Sequence, residues 1–158
     1  MACVVLGVIA CSTAEPNVPV MASYDVTATF DTAKDGDAGG VYGVYPATGG
    51  ISGLLTVNTV PGSRFSLNSC NPAYVSGGQS IATECHPTGL LSGSGQSGNS
   101  ISLDLSIALG GVTQVTDLQL SGTVADTQIH GTARYSYRAG GPSGRYFTYY
   151  GKFSAVKR

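Results

Sequence analysis

The stretch Ile101-Ser102-Leu103-Asp104-Leu105-Ser106-Ile107-Ala108-Leu109 decides the fold class. Its large apolar residues fall at every second position, and a β-strand sends successive side chains to opposite faces, so one face of this segment is buried and the other wet. A helix would need a period of 3.6, which no part of the chain sustains over about ten residues. The same alternation recurs at Tyr24, Val26, Ala28 and Phe30, and at Leu118, Leu120 and Val124. Less regular apolar runs cover 41–45, 51–60, 64–68, 88–93, 129–137 and 145–156. Turn chemistry separates these runs at Asp35-Gly36, Gly49-Gly50, Pro61-Gly62, Gly98-Asn99, Gly110-Gly111, Ala125-Asp126 and Gly140-Gly141-Pro142.

The chain has 158 residues, enough for one domain with a sizeable core. With 23 Gly, nine Tyr, no Trp and only 11% charged residues, it suits short strands and tight turns. The expectation is an all-β antiparallel meander of about eight to ten strands, an up-and-down β-barrel or else a β-sandwich; closure would remove the exposed edges that invite aggregation.

Charge is unevenly spread. All nine acids precede Gly131, together with only two bases, Lys34 and Arg64; Arg134, Arg138, Arg145, Lys152, Lys157 and Arg158 follow it. The net charge of −1 gives no reason to expect nucleic acid as a partner. Two readings stand for the basic C-terminal segment: cross-strand pairing with acids such as Asp104 and Asp117, or a basic binding face.

The N-terminus points to export. Ala2 to Ile9 is an apolar run too short to span a membrane, and it ends in the small Ala10 before Cys11-Ser12-Thr13. Val8-Ile9-Ala10-Cys11 resembles the lipobox of bacterial lipoproteins, a likeness confined to the leader, in which only Met1 and Ala2 stand where the charged n-region would be. The resemblance implies a signal peptide over 1–10, lipidation (diacylglycerol and palmitate) of Cys11, and a membrane anchor. It further implies a cell-envelope address, with Ser12 favouring the outer membrane, facing periplasm or surface. Residues 11–22, with Pro16 and Pro19, then form a spacer, and 23–158 the all-β domain. A single acyl chain holds a protein only marginally, so more than one is needed for a stable tether.

In an oxidising compartment Cys70 and Cys85 are expected to form a disulfide, closing a segment rich in Gly and Pro that would otherwise be floppy. The phrases Ile51-Ser52-Gly53, Leu91-Ser92-Gly93, Leu120-Ser121-Gly122 and Ile129-His130-Gly131 resemble the strand cores of small secreted bacterial β-barrels of calycin-like texture, which implies a fold and no activity.

The candidate sites are weak chemically. Gly93-Ser94-Gly95-Gln96-Ser97-Gly98 fits a dinucleotide pattern but opens no helix, and is expected to be a hairpin turn. Asp31, Asp35 and Asp37 are expected in a solvated loop, lacking the full oxygen set of a calcium site. His86 and His130 have no nucleophile elbow to serve, and Cys85-His86 lacks metal-ligand spacing, so neither catalysis, cofactor nor metal is expected. The most suggestive stretch is Tyr135, Tyr137, Tyr146, Phe147, Tyr149, Tyr150 and Phe153, interleaved with Arg134, Arg138, Arg145 and Lys152. These residues form either a cross-strand ladder, with Tyr137 opposite Tyr146 and Ala133 opposite Tyr150, or a surface that stacks sugars, bases or a ligand. Tyr135, Tyr137, Tyr146 and Tyr150 are the possible ligand-lining residues. Two functions follow: a non-catalytic structural or interaction module engaging an envelope protein, or a barrel holding a small apolar ligand.

Overall fold

The computed structural model describes residues 21–37, 40–58, 62–83, 90–97, 100–108, 115–125, 127–138 and 145–158. The leader, Cys11 and the spacer up to residue 20 lie outside them, as do Cys85 and His86. The described chain is all-β, in eleven strands: β1 (Met21–Asp37), β2 (Gly40–Thr48), β3 (Gly50–Asn58), β4 (Ser63–Cys70), β5 (Ala73–Ser76), β6 (Gln79–Ala82), β7 (Leu90–Ser97), β8 (Ser100–Ala108), β9 (Val115–Ala125), β10 (Gln128–Arg138) and β11 (Tyr146–Lys157).

Every pairing is antiparallel, and the sheet order is β11-β10-β9-β8-β7-β4-β3-β1-β2-β5-β6, with β11 also pairing β1. β1 is long enough to hold two partners on one side. Its first part, Met21 to Thr29, pairs β3, and its last part, Thr32 to Asp37, pairs β2. β2 and β3 therefore form one interrupted line, and the chain does not reverse at Gly49-Gly50 as the glycine pair suggests. Nor does it turn at Asp35-Gly36, because the strand continues to Asp37.

The alternation read from the sequence fixes which side of the sheet is the core. Tyr24, Val26, Ala28 and Phe30 of β1 are buried, as are Ile101, Leu103 and Leu105 of β8, and Leu118 and Leu120 of β9. A bulge between Phe30 and Thr32 then shifts the phase, so that Ala33 and Asp35 face inward instead of the even-numbered positions. The strand also begins two residues before the expected domain boundary: Met21 pairs Asn58, and Ala22 is buried.

The Gly- and Pro-rich segment that follows Cys70 forms the β5–β6 hairpin. Gly77 and Gly78 sit at φ of 59° and 79°, and two central residues with positive φ make the turn that matches strand twist. The segment Gly93 to Ser97 is strand, not turn, with Ser97 paired to Ser100 across residues 98–99.

Candidate functional site

The basic and aromatic C-terminal segment becomes the β10–β11 hairpin, one residue out of the expected register. Tyr137 stands opposite Phe147 and Tyr135 opposite Tyr149, while Arg134 faces Tyr150 and Arg138 faces Tyr146. Since side chains alternate with period two, this slip of one residue changes every cross-strand partner. Tyr135 and Tyr137 are buried in the core, whereas Tyr146 and Tyr150 belong to the other face and are half-buried. The four possible ligand-lining tyrosines thus do not converge on one site.

The inner face is packed with rings. Phe30 lies 5.6 Å from Tyr149 and 6.2 Å from Tyr135, centroid to centroid, and Tyr135 lies 6.5 Å from Tyr149. Such tilted pairs add to the stabilisation from burying their area. Ile101 and Leu103 are buried in the same core.

At the end of the sheet reached by the β5–β6 hairpin the core turns polar. Tyr74 of β5 stacks on Phe147 at 5.3 Å and contacts Tyr45 of β2 at the same distance. The hydroxyls of Tyr149 and Thr83 are hydrogen-bonded. Burial pushes the Tyr149 phenol above its ordinary range, with that hydrogen bond opposing the shift. Asp35, 1% exposed, receives two hydrogen bonds from the Arg145 guanidinium, one of them Nε to Oδ1 at 2.8 Å. Arg145 is itself 60% exposed and lies over the Phe147 ring at 5.5 Å. The pair raises the Arg145 pKa further, through the hydrogen bond first and the nearby negative charge second.

Two acids of β1 thus meet C-terminal bases. Arg158 binds Asp25 at 2.8 Å, and that hydrogen bond holds the exposed Asp25 carboxyl below its usual range. Asp104, one of the expected partners, instead accepts a hydrogen bond from Gln119 at 3.0 Å. Asp31, Asp35 and Asp37 lie in β1, not in a solvated loop, and have separate partners: Thr32, Arg145 and Tyr42. His130 is exposed, as its alternating position suggests, and hydrogen-bonds Gln128 at 2.9 Å.

The outer face of β1, β11, β10 and β9 carries a different constellation. Across it run Thr32, Tyr150, Arg134 and Gln119 in one row, and Thr29, Lys152, Thr132 and Ser121 in the next. Lys34 places its ammonium 4.9 Å from the Tyr150 ring centroid. Two open clefts share this surface and meet at Thr132.

Sequence reasoning missed the Asp35–Arg145 pair and the part played by Tyr74. The hairpin that presents Tyr74 had a signal, Gly77-Gly78 between Tyr74-Val75 and Ile81; the bulge that turns Asp35 inward had none. Cys70 is half-buried against the core at the end of β4. No family model matches the chain, and no curated protein is significantly similar to it.

Proposed function

We propose that this is an exported, membrane-anchored envelope lipoprotein, held through lipid on Cys11, whose all-β domain is a non-catalytic structural or interaction module built as an eight-stranded up-and-down barrel. The observation that carries the module reading is the filled inner face. Tyr135, Tyr137, Ile101 and Leu103 are the residues that would surround a void in a ligand-holding barrel, and all four are buried in one hydrophobic cluster. An eight-stranded barrel is just wide enough for its own side chains to fill it. With β2 and β3 counted as one line, the pairings run through eight strands and return from β11 to β1, which supports closure. A Cys70–Cys85 bridge belongs to the same reading, because an oxidising compartment favours pairing of the two thiols.

Native against denaturing mass spectrometry tests this on the full chain, expressed with its own leader in a Gram-negative host and incubated with that host's lipid extract. The expected result is an acyl mass excess that survives denaturation and disappears in Cys11→Ser, with no further mass lost on denaturing. Absence of the covalent excess overturns the lipoprotein reading. A non-covalent excess that is abolished by Tyr135→Ala overturns the filled module in favour of a ligand-binding barrel.

A further inference from the structure

We propose that the outer face of β1, β11, β10 and β9 binds an acidic polysaccharide, with Arg134 and Lys152 meeting its anionic groups and Tyr150 giving a sugar ring a surface to lie on. This deepens the interaction-module reading by naming the partner's chemistry, and rests on that reading only for where the partner is met.

The first support is charge left over. Arg145 and Arg158 are committed to Asp35 and Asp25, but among the described residues neither Arg134 nor Lys152 has an ion-pair partner. Lys34 engages the Tyr150 ring. Asp31 and Asp104, which border this face, are engaged by Thr32 and Gln119, and Asp117 of β9, opposite Ser136, has an interaction of its own. The Arg134 Nε is enclosed and makes no hydrogen bond, so the guanidinium is seated by packing and not by an acid, and its charge is left for an outside group to neutralise.

The second support is what surrounds the cations. The larger cleft, about 590 Å³, lies in the size range of small-molecule sites and is lined by Thr27, Thr29, Thr132, Ser154 and Phe153 beside His130 and Lys152. The adjoining cleft brings Ser121 and Gln119 to Arg134 and Tyr150. A protein-docking patch would have an apolar, aromatic centre, and a single-stranded nucleic acid site would have successive stacking platforms. Here threonine and serine hydroxyls are interspersed with apolar surface, with one tyrosine in the adjoining cleft, which suits a chain of sugar rings whose apolar faces and hydroxyls need both and whose acidic groups need cations.

Titration of the full chain with oligogalacturonate, neutral dextran and inorganic polyphosphate tests the site. Oligogalacturonate is expected to bind and dextran not to. Arg134→Gln with Lys152→Gln is expected to weaken binding at least about tenfold, and Arg64→Gln with Lys157→Gln, which removes equal charge elsewhere, to leave it within about twofold. Tyr150→Ala is expected to weaken oligogalacturonate several-fold more than polyphosphate, separating sugar stacking from attraction to anions. Unchanged thermal melting of these surface variants excludes misfolding as the cause. The proposal is overturned if oligogalacturonate fails to bind, if dextran binds equally, if the Arg64 and Lys157 double variant loses as much affinity, or if Tyr150→Ala affects both anions alike.

Discussion

Arg145→Gln is expected to destabilise the protein by about 2–3 kcal/mol, read as a lowered urea midpoint, although Arg145 itself stands mostly in solvent. The cost arises at the other end of the pair. Asp35 is 1% exposed, on the inward side of β1 beside Phe147, and cannot regain water when the guanidinium is removed. Breaking a buried pair from one side strands a charge, and the loss sits below the range for fully buried pairs because one partner here is screened. The test of this explanation is the double variant. Asp35→Asn combined with Arg145→Gln removes the stranded charge and should recover at least half of the loss. Additive losses would mean that Asp35 is not the group that suffers.

Gly122→Val is expected to cost about 3 kcal/mol or more, measured by thermal or urea unfolding. Gly122 of β9 stands opposite Gly131 of β10, which in turn stands opposite Phe153 of β11. A Cβ at position 122 would come within 2.5 Å of the His130 carbonyl oxygen and 3.1 Å of the Phe153 ring. The ring can move; the backbone of a paired strand cannot without loosening the sheet. Phe153→Leu is therefore expected to restore only a minor part of the stability of Gly122→Val. Full rescue would show that ring crowding alone keeps this position small. The same logic accounts for Gly53, where an added Cβ would meet the Ser66 carbonyl oxygen at 2.3 Å and the Phe65 ring at 2.5 Å. Gly53 and Gly122 thus mark places where the backbone of a paired strand and an aromatic ring together occupy the space of a missing side chain.

The parts of the fold that were legible in the sequence follow from strand periodicity, which is local. The Ile101 to Leu105 alternation, the Tyr24 to Phe30 alternation and the exposed position of His130 needed no knowledge of partners. Three features were not legible because they depend on how one strand meets another. The bulge after Phe30 reverses the inward phase of β1, turning Asp35 from an expected loop residue into a buried carboxylate. The β10–β11 register lies one residue from the simplest hairpin, which puts Tyr149 and Phe147 beside Tyr135 and Tyr137 and leaves Tyr150 opposite Arg134. The long-range β1–β11 pairing, joining the two ends of the described chain, is what brings Arg145 to Asp35 and Arg158 to Asp25. Composition foretold a basic C-terminal segment, but only the pairing shows which of its charges are already neutralised.

Amide hydrogen exchange along β1 tests most directly the claim that the pairings close a filled barrel. In a strand with neighbours on both sides, alternate N–H groups point to each neighbour, here β3 and β11. Strong protection is expected at every amide from Tyr24 to Thr29, with both alternating sets exchanging only through global unfolding. Fast exchange of the set facing β11, beside slow exchange of the set facing β3, would mean that β1 is an edge strand and would contradict closure.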